Sequence, residues 1–124
     1  MLATQNLGDI TGRGTSRMSA GGILDFGSID WADDQPDIHS RAENALGQRW
    51  AIVEYEAGAA REEWCTDGHR GYVLAGEIEY EFDDGTGPLR VARGQGFYLA
   101  SGTAHRGRNP GDRATQLFLI DDPA

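Results

Sequence analysis

Glu63-Trp64-Cys65-Thr66-Asp67-Gly68-His69-Arg70-Gly71-Tyr72-Val73-Leu74-Ala75-Gly76 is the stretch on which the reading of this chain turns. It sets three side chains that can hold a metal ion, Glu63, Cys65 and His69, at spacings of two and four. If 63–65 is extended, Glu63 and Cys65 share a face, because strand side chains alternate with period two. A second glycine-bounded segment, Gly94-Gln95-Gly96-Phe97-Tyr98-Leu99-Ala100-Ser101-Gly102-Thr103-Ala104-His105-Arg106-Gly107-Arg108-Asn109, adds a fourth candidate, His105. The rest of the chain reads as the scaffold that brings these four together.

Working outward, Trp50–Tyr55 is rich in β-branched and aromatic residues and predicts a strand, closed by Ala57-Gly58. Gly71 to Glu77 predicts a second, broken at Gly76. Glu77–Phe82 alternates acidic with apolar residues, the pattern of a half-exposed strand. Asp83–Pro88 has hairpin-loop composition. Short strands are expected at Leu89–Ala92, Phe97–Ala100 and Ala114–Ile120, with 121–124 as a tail. Upstream, Ile23–Phe26 and Ile29–Trp31 suggest one or two peripheral strands, Asp33–Pro36 a turn, and Asp37–Leu46 a further strand. No segment carries a sustained helical period. Short strands punctuated by turn residues predict an all-β sandwich or barrel.

The 124 residues amount to a single domain at 21–124, with 1–20 as a polar, flexible N-terminal arm. A formal charge of −9 argues against nucleic acid or an anionic membrane as partner, since both require basic surface. All 11 basic residues are arginine. The single cysteine excludes an intrachain disulfide and stands among the candidate ligands. With no apolar signal-like run in the first twenty residues and no window of membrane-spanning length, the expected location is cytoplasmic.

The two segments resemble the paired motifs of the cupin superfamily, a double-stranded β-helix or jelly-roll barrel. The first cupin motif has two histidines one residue apart, an acidic residue four further on and a glycine after six more. Glu63, Cys65, His69 and Gly76 occupy those places here, with matching spacing and three altered ligand types. Gly94, Gly102, His105 and Asn109 fall in register on the second motif, with Ala100 where proline is usual. The resemblance spans roughly 49–120. It implies the jelly-roll fold, convergence of the four ligand positions on one ion, and a homodimer.

The usual cupin set of three histidines and a glutamate goes with iron, manganese or nickel. One carboxylate, one thiolate and two imidazoles favour zinc, with iron as the alternative. The functional expectation is a metalloenzyme, an oxygenase, lyase or isomerase, acting on a small and anionic organic molecule. Tyr72 and Tyr98 are its candidate proton donors, and arginines 41, 49, 70, 106 and 108 its candidate anchors. The rivals are a non-catalytic ligand-binding or metal-stabilised module, and a barrel that holds no metal. By strand parity from His69 and His105, the inward neighbours are Gly71, Val73 and Gly107. His39, outside both motifs, is assigned to the surface or the rim.

Overall fold

The computed structural model describes residues 20–123, so the expected arm lies outside the described residues except for Ala20. Nine strands form: β1 (Ala32–Gln35), β2 (Ile38–Ala45), β3 (Gln48–Tyr55), β4 (His69–Ala75), β5 (Glu77–Phe82), β6 (Leu89–Ala92), β7 (Gly96–Leu99), β8 (His105–Arg108) and β9 (Thr115–Asp121). They pair into a six-stranded sheet, β1-β2-β3-β9-β4-β7, and a three-stranded sheet, β6-β5-β8, all antiparallel. The fold is an all-β jelly roll. The described residues include no α-helix, and none of their helices is long and apolar enough to cross a membrane.

Period-two alternation decides which side chains reach the interior. Ala51, Val53 and Tyr55 of β3, Val73 of β4, and Leu117 and Leu119 of β9 point inward from the large sheet. Ile78 and Tyr80 of β5 and Val91 of β6 meet them from the small one. On the outer side of β5, Glu77, Glu79 and Glu81 pair with Arg90, Arg108 and Arg106 at 2.8, 2.6 and 2.6 Å. These cross-strand pairs account for β8, His-Arg-Gly-Arg, which has no apolar pattern to announce a strand. The buried amide of Asn109 closes the end of β8: its Nδ2 donates to the carbonyls of Tyr55, Glu56 and Arg113, and its Oδ1 accepts from Gly111 N–H.

The upstream expectations shift. Where a peripheral strand was expected across 23–31, the chain makes one 3₁₀ turn, Phe26–Ser28, and Ile23 is exposed. The first strand, which begins at Ala32, runs through most of the expected turn 33–36, and the turn itself falls on residues 36–37. β1 is an exposed edge strand, so it lacks the apolar alternation that betrays a half-buried one. Its last side chain is tied down at the barrel rim: Gln35 Nε2 donates to Asp37 Oδ1 and to the Ala60 carbonyl, both at 2.9 Å.

Candidate metal centre

Three of the four proposed ligands meet. The sulfur of Cys65 and a ring nitrogen from each of His69 and His105 all lie within 4.8 Å of one another. His69 is the first residue of β4 and His105 the first of β8, so the two sheets bring the imidazoles together from opposite walls, ring centroids 5.1 Å apart. Cys65 arrives from the connection between β3 and β4, docked on β8 by reciprocal backbone hydrogen bonds with His105 at 2.8 and 2.9 Å.

Each histidine has one nitrogen fixed and one turned to the cluster. His69 Nδ1 is 2.8 Å from Asp121 Oδ1, and its Nε2 is 3.6 Å from Cys65 Sγ. His105 Nδ1–H donates to the Thr103 carbonyl at 3.1 Å, and its buried Nε2 has no partner. Carbonyl and carboxylate acceptors thus hold both rings in the tautomer whose Nε2 lone pair is free to ligate. Burial pushes the pKa of His105 below the ordinary imidazole value, which keeps that lone pair unprotonated at neutral pH.

Glu63 does not join the cluster. The expectation rested on 63–65 being a strand, and it is not one. The bridges Ala60–Arg108 and Cys65–His105 are out of continuous register, so residues 62–64 bulge outward and are exposed. A bulge cancels the parity that would put Glu63 beside Cys65. Arg106 pins it: its Nη1 donates to the Glu62 carbonyl at 3.1 Å, and its guanidinium lies 4.2 Å over the Trp64 ring. Glu63 lines the rim of the adjoining cavity instead.

That cavity, about 530 Å³, opens beside the cluster and is walled by Val53, Tyr55, Tyr80, Gly107 and Leu119. Tyr72 and Tyr98 are not part of it. They alternate with His69, Gly71, Phe97 and Leu99 and so stand on the outer face, 44% and 79% exposed. Gly71 faces inward as expected, but it leaves room for packing rather than for a ligand: a Cβ there would sit 2.5 Å from Phe97 Cζ. Of the five candidate arginines, Arg49 and Arg106 line the cavity, together with Arg61. His39 lies outside the cavity, between Asp33 and Glu56.

Sequence reasoning missed Asp121, Tyr55, Tyr80 and Arg61. Asp121 was assigned to the tail, yet β9 runs through it and pairs it with His69. Continuing the inward parity of Leu117 and Leu119 by one step would have found it, and the same count along β3 and β5 finds both tyrosines.

No curated protein sequence matches this chain at a significant level. Solved structures do match in fold. KdgF from Halomonas sp. superposes with a TM-score of 0.67 at 19% identity, over 85% of this chain and 96% of that one. A cupin-superfamily sugar phosphate isomerase from Silicibacter pomeroyi gives 0.66 at 16%, over 83% and 76%. A variant of Bacillus subtilis oxalate decarboxylase gives 0.70 at 15%, over 90% of this chain and 32% of that longer one. The strand order, the inward-facing motif residues and the match of residues 51–121 to the cupin domain agree, and the chain belongs to the cupin family.

Proposed function

We propose that this cupin binds one divalent transition metal ion through Cys65 Sγ, His69 Nε2 and His105 Nε2, and acts on a small organic molecule in the adjoining cavity as an oxygenase, lyase or isomerase. The observation that carries this reading is the convergence of three donor atoms whose lone pairs are already oriented. The Cys65–His69 donor pair fits the ion. Zinc–sulfur and zinc–nitrogen bonds of ~2.3 and ~2.05 Å at a tetrahedral angle require donors ~3.6 Å apart. Cys65 Sγ and His69 Nε2 stand 3.6 Å apart.

Zinc is favoured, and iron is the alternative for the same donors. When bound, such an ion supplies a positive centre that polarises an oxygen donor of the ligand. The chain's own residues do the rest. Asp121 and the Thr103 carbonyl hold the rings, and Val53, Tyr80 and Leu119 give the adjoining cavity an apolar wall. Three protein donors would leave a bound ion one position short of tetrahedral, the arrangement of catalytic rather than structural sites. Glu63 becomes a fourth ligand only if the 62–64 bulge rearranges. A thiolate ligand suits a reducing compartment, which supports a cytoplasmic location.

One observation favours a second reading, a metal-stabilised, non-catalytic module. Cys65 sits in a connection without regular strands, and an ion there would staple 56–68 to β8. Elemental analysis of protein purified without added metal tests both. About one equivalent per chain is expected, lost in Cys65→Ala and in His105→Ala; a metal-free wild type removes both readings. A large fall in melting temperature on chelation, with no exchangeable solvent on the ion, selects the second.

A further inference from the structure

The cavity wall away from the cluster carries donors that the fold leaves uncommitted. Of its three arginines, Arg61 meets Asp34 at 2.9 Å and Arg106 meets Glu81 at 2.6 Å. Arg49 has no carboxylate within ion-pair reach among the described residues and donates only to Ser40 Oγ, at 3.3 Å. Ser40 in turn donates to Asp34 at 2.8 Å, so this carboxylate serves the Arg61 guanidinium and a hydroxyl, and Arg49 and Arg61 share one negative charge between them. Asp121, the acid nearest the cluster, is held by His69.

Two phenols adjoin this group. Arg61 Nε–H donates to Tyr55 Oη at 3.1 Å, which leaves the Tyr55 proton without a described acceptor. Tyr80, only 3% exposed, has no hydrogen-bond partner among the described residues. Among the described residues the sealed side-chain polar atoms without a partner are Arg41 Nε and His105 Nε2, so Tyr80 Oη is open to the cavity it lines. Gly107 admits both rings: a Cβ there would lie 2.9 Å from Tyr80 Cε1 and 3.0 Å from Tyr55 Oη.

We propose that this wall is a binding subsite for the carboxylate of a small organic acid, gripped by Arg49 and Arg61 and hydrogen-bonded by the hydroxyls of Tyr55 and Tyr80, with the rest of the acid reaching toward Cys65, His69 and His105. This rests on the reading of the cavity as a small-molecule site. Four donors match the four lone-pair positions of a carboxylate, and a planar guanidinium suits its geometry. Burial pushes both phenols above the ordinary tyrosine value, so they remain protonated donors at neutral pH. Glu62, Glu63 and Asp67 at the mouth are exposed and screened by salt.

The test is calorimetric titration of the metal-loaded full chain with malonate, succinate, glutarate, succinamide and inorganic phosphate. At least one diacid should bind, and succinamide roughly tenfold or more weaker than succinate, the loss expected when a charge-assisted contact goes. Arg49→Gln should weaken the diacid by a similar factor and Arg49→Lys by less, while Arg90→Gln on the outer face leaves it unchanged. Tyr80→Phe should weaken it several-fold yet keep or raise the ligand-free melting temperature, because the hydroxyl removed has no protein partner. Failure of every diacid to bind, equal binding of succinate and succinamide, indifference to Arg49→Gln and Tyr80→Phe, or a preference for phosphate each overturns the subsite. If the chain takes up no metal, the same titration on the metal-free protein still reads Arg49. Arg49-dependent diacid binding there upholds the subsite while the metal reading falls.

Discussion

A ligand histidine works only if its ring is held, and in this chain the holding groups are one carboxylate and one carbonyl. Asp121 accepts from His69 Nδ1 at 2.8 Å and the Thr103 carbonyl from His105 Nδ1 at 3.1 Å. Removing such a partner costs roughly 10–100-fold in metal affinity. Asp121→Ala is therefore expected to weaken metal binding by about that factor, and Asp121→Asn, which keeps an oxygen acceptor, by less. Competition with a chromophoric chelator measures it; an unchanged affinity in Asp121→Ala would mean that His69 is oriented by something else. Protons compete for the same lone pairs. Because burial lowers the pKa of His105, its competition should begin only below about pH 6.5, the ordinary imidazole value. Metal loss on acidification should follow, and undiminished metal binding well below the ordinary imidazole value would place the metal on other residues.

At the scale of elements, the β2–β3 hairpin shows where local chemistry and fold disagree. Leu46 and Gly47 both have positive φ, 55° and 74°, the conformation of a two-residue turn that prefers Asn-Gly. Leu46 is 69% exposed, so it contributes little packing to offset a left-handed backbone. Leu46→Asn should raise stability by roughly 0.5–1 kcal/mol in urea unfolding; a loss would show that the leucine packs against something. Nearby, His39 bridges Asp33 at 2.7 Å and Glu56 at 2.8 Å, tying β1 to the end of β3. Its hydrogen bonds to Glu56 and then Asp33 raise its pKa. A raised folded-state pKa means that this contribution is complete below the unfolded value of about 6.5 and disappears as pH rises through the folded one. The stability difference between wild type and His39→Gln should therefore shrink from mildly acid to mildly alkaline pH. A difference that grows with pH would invert the assignment.

The same scale separates what the sequence made legible from what it did not. Strands with one buried face, such as Trp50–Tyr55 and Glu77–Phe82, announced themselves by alternation, and β1 and β8 did not, because one is an exposed edge and the other is held by Arg–Glu pairs from a neighbour. His69, Cys65 and His105 were legible from motif spacing. Glu63 was misplaced by a bulge whose cause, the grip of Arg106 on 62–64, is a contact 44 residues away. Tyr72 and Tyr98 were chosen by chemistry without counting parity, which puts them on the outer face.

For the whole molecule, that outer face decides the expected assembly. Phe26 packs on Phe118, which packs on Trp50, with centroids 6.1 and 6.2 Å apart, so the segment around Phe26 covers part of the outer side of the six-stranded sheet. Farther along the same side, Tyr72, Leu74 and Tyr98 on β4 and β7 are uncovered. An apolar face beside a covered one is suited to a second copy of the chain, and a stable pair needs about 800 Å² buried per partner. The charge of −9 on each chain opposes this and sets its signature, because repulsion is screened by salt while apolar burial is not. Light scattering should give about twice 13.4 kDa, with the dimer tightening as salt rises. Tyr72→Asp with Tyr98→Asp should yield monomers. Since neither residue lines the cavity, these monomers should still take up one metal per chain and bind the diacid as the dimer does. A wild-type mass of 13.4 kDa at micromolar concentration would remove the dimer and leave the site intact, whereas loss of metal in the double variant would show that the two faces of the sheet are coupled.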